Sequence, residues 1–248
     1  MSAAAVLRSQ IESYLESRIP SALSIREKPQ PAVLPFGIGE IDAALQGVPR
    51  GCLSEITGPP SSGVTSLSLA LAASATRHGE CCALVDAGNA FDPASAQAQG
   101  VELPRLLWVR CAAGSELNAI AQALKAAEML LETGGFGLVA MDMAGFSPRA
   151  VRRIPLATWF RFRRAVENTA TALVALGEEP TAANSPALVL RLKRKAARWQ
   201  QSAKNEAASS HTWLLSGMEI EVEVVRSQHL RKSAVSASIN CQVLSRWA

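Results

Sequence analysis

The sequence has no apolar run approaching the roughly 20 residues that a membrane-spanning helix needs, so no membrane partner is expected. Its opening stretch, Met1–Arg8, lacks the basic start and apolar middle of a signal peptide. Cysteine is sparse. There are five, an odd number, and none is spaced Cys-x-x-Cys, which excludes a paired-cysteine zinc or redox motif and points to free thiols in a reducing cytoplasm. The three histidines, at 78, 211 and 229, have no ligand spacing, so no metal site is expected. What is abundant is core material: 48% of 248 residues are hydrophobic and 19% charged, enough for one large domain.

Charge is unevenly placed. Residues 1–148 hold 9 Lys+Arg against 14 Asp+Glu, whereas residues 149–198 hold 11 against 3. One strongly basic segment of this kind points to an acidic partner, nucleic acid included.

A second kind of absence bears on chemistry. Gly58-Pro59-Pro60-Ser61-Ser62-Gly63-Val64-Thr65-Ser66 has the outline of a phosphate-binding loop: glycine, four residues, glycine, a lysine position, then serine or threonine. The glycines let backbone N–H groups surround a phosphate, and the lysine brings charge to its outer oxygens. Val64 stands at the lysine position and offers neither charge nor hydrogen bond. The flanks suit the motif, with strand-like Cys52–Thr57 before it and an alanine- and leucine-rich helix, Leu67–Arg77, after it. Further on, Phe136–Asp142 is an apolar strand ending in an acid. An aspartate there can hold magnesium or its water, or simply cap the strand end.

Taken in order, residues 3–18 read as a helix with Val6, Ile11 and Leu15 at helical spacing, followed by a proline-bearing linker. A core domain spans 34–226, with residues 1–33 before it and a tail, 227–248, behind. Within the core, Cys81–Asp86 and Leu106–Val109 read as strands, with Cys81 and Cys82 as small buried hydrophobes. Ser115 opens a helix that Gly134 stops, and residues 148–168 are helical but broken at Pro155. Thr171–Leu176 is a strand, Gly177–Ser185 a loop, and Ala187–Leu192 a strand that ends before Lys193, Arg194 and Lys195. Trp213–Leu215 and Ile220–Val224 read as antiparallel strands. The alternation predicts an α/β fold with a mostly parallel sheet, helices on both faces and antiparallel edge strands near the C-terminus.

From 34 to 225 these pieces resemble the RecA recombinase family. The resemblance rests on Gly58–Ser66, on Leu84-Val85-Asp86-Ala87-Gly88-Asn89-Ala90-Phe91-Asp92-Pro93 and on Gly100–Leu107. It implies the RecA-like P-loop NTPase fold. It also implies a lysine at 64 and a water-orienting glutamate at 88, where Val64 and Gly88 stand. With both side chains missing, the expectation is a pseudo-ATPase with no catalytic residue and no required cofactor. Weak binding of ATP and magnesium through backbone amides stays open. The family grips single-stranded DNA with two mobile loops. Here the first is the short run from Ala144 to Arg149, and the second, Gly177–Ser185, carries Glu178 and Glu179. This shortened pattern resembles ImuA-type members, a family also labelled SulA-like. It implies a cytoplasmic, nucleoid-associated accessory role in SOS-induced translesion synthesis, with a polymerase-like ImuB-type protein or RecA as partner. Two alternatives remain: an active DNA-dependent ATPase of recombinase type, whose cation comes from Arg77, Lys125 or a neighbouring subunit, and a SulA-like division inhibitor.

Arg149, Arg152, Arg153, Trp159, Arg161, Arg163 and Arg164 are the candidate contacts to single-stranded DNA, where guanidinium groups take phosphates and rings take bases. Lys193, Arg194 and Lys195 extend that set. The competing reading puts Trp159 and Phe160 on one core face with Leu156 and Val166. Val6, Ile11 and Leu15 in the first helix and Val243, Leu244 and Trp247 in the tail are candidate partner-binding residues, the helix also for self-association.

Overall fold

The computed structural model describes Val6 and residues 32–111, 114–201, 213–228 and 234–240. The chain divides into Met1–Gln30 and Pro31–Ala248, and the second unit is the one described below. In the first, Val6 is helical and exposed. Ile11, Leu15, Val243, Leu244 and Trp247 lie outside the described residues.

Val33–Leu34 (β1) pairs antiparallel with Val48–Pro49 (β2) around a short helix, Gly39–Leu45 (α1). Asp42 fixes the entry to that helix by accepting the N–H groups of Phe36, Gly37 and Ile38. The main sheet contains Cys52–Thr57 (β3), Cys81–Asp86 (β4), Leu106–Arg110 (β5), Phe136–Asp142 (β6), Ala172–Gly177 (β7), Leu188–Gln201 (β8), Trp213–Ser227 (β9) and Ala234–Asn240 (β10). Its order is β10-β9-β8-β3-β7-β6-β4-β5. From β8 to β5 every pairing is parallel, and β9 and β10 add on antiparallel.

Helices cover both faces of the parallel part. Val64–Arg77 (α2) places Leu67, Leu71 and Ala75 in one apolar cluster with Ile56, Leu138, Leu190 and Leu192. Glu116–Thr133 (α4) and Leu156–Val166 (α6) place Ile120, Ala127, Trp159, Phe162 and Val166 in another, with Leu53, Val139 and Leu173. Pro93–Ala98 (α3) and Pro148–Val151 (α5) are short connecting helices. Ser115 caps α4 by accepting the Asn118 N–H, and Gly134 ends it at φ 69°. This is the expected fold class, and β3 carries the glycine loop at its carboxyl end.

Three details depart from the sequence reading. First, β8 does not stop before Lys193 but runs to Gln201. Its outer-face lysines are held across the ribbon, Lys193 to Glu223 at 3.3 Å and Lys195 to Glu221 at 3.1 Å, and such cross-strand pairs favour strand. Second, Trp213–Leu215 and Ile220–Val224, read as two antiparallel strands, lie in the single strand β9, and its outer antiparallel partner β10 comes from the segment read as a tail. Third, Cys81 is exposed at the start of β4, while Cys82 behind it is buried, and burial pushes its thiol up to about 12.

Candidate functional site

The loop from Gly58 to Gly63 joins the end of β3 to the start of α2. Its two glycines are there for different reasons. Gly63 sits at φ 98°, a left-handed conformation, and opens α2 with no side-chain cap. The first-turn N–H groups of the helix are therefore left to an anion or solvent. Gly58 has no space for a side chain: a Cβ would lie 2.7 Å from the Leu192 carbonyl oxygen and 2.4 Å from Ser62 Oγ. Gly58→Ala is expected to push the loop off β8 and cost about 1–3 kcal/mol, read from urea unfolding midpoints. Ser62 is buried and its Oγ has no partner among the described residues. Val64 is buried in the same cluster as Met218 and Ile220, whose side chains also back Gly63.

Asp142 ends β6 beside Asp86 of β4, its partner in register. Burial raises the Asp142 carboxyl to about 6; the Ala144 N–H donated to it opposes this, and the nearby Asp86 adds to it. Asp86 is fully engaged, accepting from the Ala90 and Phe91 N–H groups and from Trp108 Nε1. Gly88 has only the Ala144 carbonyl oxygen near its Cβ position, at 3.5 Å, so packing does not demand glycine there. A nucleoside triphosphate with magnesium is what such a loop and acid would hold. The residues supply the backbone half of that site and not its cationic half, so no hydrolytic step follows from them.

The loop Gly177–Ser185 is stapled from three sides. Glu55 Oε1 accepts the Thr181 N–H at 2.8 Å, the Thr181 hydroxyl at 3.2 Å and the Ala182 N–H at 2.9 Å. Arg226 donates to the Ala183 carbonyl and to Asn184 Oδ1. Arg152 pairs with Glu179 at 2.5 Å. Glu55 was not singled out from sequence, where its one signal is a lone charge inside an otherwise uncharged strand.

The basic candidates do not form one surface. Trp159 is fully buried, edge-to-face with Phe162 at 6.1 Å, so it is not available to a base. It shares that buried face with Val166, whereas Leu156 and Phe160 point outward, 52% and 49% exposed. Helix phase explains this: once Pro155 restarts the helix, Thr158, Trp159, Phe162 and Val166 fall on one side, with Leu156, Phe160, Arg163 and Arg164 on the other. Arg161 pairs with Glu128 of α4 at 3.5 Å. Arg149, Arg153, Arg163 and Arg164 are exposed and make no ion pair among the described residues. Lys193 and Lys195 are tied to Glu223 and Glu221, as above. Arg194 lies on the opposite sheet face, in register with Ile220.

A family model described as RecA N-terminal domain matches residues 9–152. The chain is 37% identical over 145 residues to Protein RecA of Deinococcus radiodurans, a match covering 57% of this chain and 38% of that protein. It is 41% identical over 127 residues to Protein RecA of Clavibacter michiganensis, covering 50% and 33%. With Protein RecA of Thermus thermophilus the identity is 40% over 126 residues, covering 50% and 35%. The chain thus spans about a third of the length of these relatives. The family match, residues 9–152, holds the glycine loop and Asp142 and stops before α6, β7 and the antiparallel strands.

Proposed function

We propose, from the premise that this chain belongs to the RecA N-terminal domain family, that it is a non-catalytic accessory protein of DNA-damage tolerance. In this reading it is an ImuA-type member acting in SOS-induced translesion synthesis. It works by binding a polymerase-like or RecA partner, and by touching single-stranded DNA with α5 and α6. The observation that carries the proposal is Val64: a buried, uncharged side chain stands where the motif needs a cation, in a loop whose backbone shape is kept. Gly88 supports it, because the lost carboxylate is not explained by packing. The stapled Gly177–Ser185 loop supports it too, since a fixed loop cannot close over a strand as a mobile one does.

The DNA contact in this proposal moves from Trp159 to Phe160, flanked by Leu156, Arg163 and Arg164 on the outer face of α6. An exposed ring between free guanidinium groups is a stacking platform with phosphate contacts beside it.

Turnover tests the first part. The purified chain is expected to release no phosphate from ATP above background, with or without single-stranded DNA. A DNA-stimulated rate that Asp142→Ala abolishes would favour the active recombinase-type reading instead. For the second part, Arg163→Ala with Arg164→Ala is expected to lower the slope of log affinity against log salt by about 1.4, the share of two phosphate contacts on a single strand. An unchanged slope removes α6 from the interface. Capture of a polymerase-like protein rather than a tubulin-like division protein separates the accessory role from division inhibition.

A further inference from the structure

The basic segment 149–198 carries three acids, Glu167, Glu178 and Glu179. Two of them sit side by side in the loop after β7, and the fold lays that loop against α5. Glu178, Glu179 and Thr181 share the wall of a small pocket with Pro148 and Val151 of α5. Across this boundary Arg152, which follows the last residue of α5, holds Glu179 at 2.5 Å. Arg149 precedes Arg152 by three residues, so the two fall on one side of the helix. Arg149 is exposed and has no ion pair among the described residues.

Both side chains of the pair are open to solvent, Arg152 66% and Glu179 50% exposed. An exposed ion pair is weak, because water screens it and two long side chains must be held still. A carboxylate and a phosphate offer a guanidinium the same pair of acceptor oxygens. Glu179 therefore stands on Arg152 as a phosphate would. Nor does the loop depend on this contact. With Glu179 released, Thr181 and Ala182 still donate to Glu55, and Arg226 still donates to Ala183 and Asn184.

We propose that Arg149 and Arg152 form a phosphate-binding face for single-stranded DNA that the chain covers with its own carboxylate. A backbone phosphate takes Arg152 by displacing Glu179, whose side chain turns to solvent while the loop backbone stays in place. Glu179 is thus an internal competitor that lowers affinity for the strand. The inference rests on the DNA contact proposed above and adds a second, covered part to it: α6 supplies the open ring and cations, α5 the guarded one.

The test is anisotropy of a labelled oligothymidylate with the full chain at low salt. Glu179→Gln is expected to tighten binding by about three- to fivefold, the upper range of what an exposed ion pair opposes. Glu178→Gln removes the same charge from the same loop without touching Arg152, and should tighten binding by no more than about 1.5-fold. In an Arg152→Gln background, Glu179→Gln should gain no more than Glu178→Gln does, because the competitor then has nothing to cover. A Glu179→Gln chain no tighter than Glu178→Gln, or a gain that persists without Arg152, would overturn the proposal even where Arg163→Ala with Arg164→Ala confirms the contact on α6. A gain that requires Arg152 beside an unchanged salt slope for the α6 variant would instead keep α5 and remove α6. No binding by the parent or by Glu179→Gln would overturn both.

Discussion

Trp159→Ala is expected to destabilise the domain by about 3–5 kcal/mol, the range for removing a large buried aromatic. Trp159 has no exposed surface and stands edge-to-face with Phe162. It joins α6 to the sheet through a cluster that includes Leu53, Val139 and Leu173. Stability of a domain this size is about 5–15 kcal/mol in all, so the variant should melt well below the parent, by roughly 2–4 °C for each kcal/mol lost. The buried indole Nε1 has no partner among the described residues, which places the expected loss toward the lower end and makes Trp159→Phe much milder. Phe160→Ala, one residue along, should stay within about 0.5 kcal/mol of the parent because its ring is half exposed. It should instead weaken single-strand binding. Calorimetry and anisotropy on the two variants separate a core residue from a contact residue. A Trp159→Ala chain as stable as the parent, with DNA affinity lost, would return the tryptophan to the interface.

That neighbouring pair also shows what the sequence could and could not tell. The strand, glycine loop and helix from Cys52 to Arg77 are local signals, readable from residues that touch one another in the chain, and they stand as expected. Which aromatic of Trp159-Phe160-Arg161-Phe162 turns inward depends on where Pro155 resets the helix, and adjacent residues lie about 100° apart, so an error of one position swaps core for surface. The continuation of β8 through Lys193, Arg194 and Lys195 depends on Glu221 and Glu223, which come near only when the ribbon has formed. Glu55 is the furthest case: it bonds to Thr181 and Ala182 across 126 and 127 residues, and nothing local announces it. Composition reported the charge of the basic segment but not its pairing, which ties Arg152, Arg161, Lys193 and Lys195 to carboxylates and leaves Arg149, Arg153, Arg163 and Arg164 around α5 and α6 without an ion pair among the described residues.

Asp142→Asn is expected to stabilise the chain at neutral pH, and the sign follows from the missing cation. Burial and the nearby Asp86 hold the Asp142 carboxyl near 6 in the folded chain, against 3.8 for the same group unfolded. Between those values the folded chain keeps a proton that the unfolded chain has released. Stability from this group therefore falls as pH rises from about 4 to about 6 and stays low above that, by on the order of 2–3 kcal/mol. Asparagine has no proton to lose and can still accept the Ala144 N–H. Urea midpoints taken from pH 3.5 to 8 should coincide for variant and parent near pH 4, separate up to about pH 6 and run parallel above it, with the variant the more stable. Asp92 and Glu116 are held below their ordinary values by hydrogen bonds to Ser95 and Ser147, so they make both chains firmer over the same range and cancel in the difference. A lysine reaching from position 64 would draw the Asp142 carboxyl back down and remove the effect, which ties this curve to the same vacant charge that argues against hydrolysis. Curves for Asp142→Asn and parent that stay parallel between pH 4 and 6 as well would mean that the carboxylate already has a cationic partner, and the reading of a pseudo-ATPase would lose its electrostatic support.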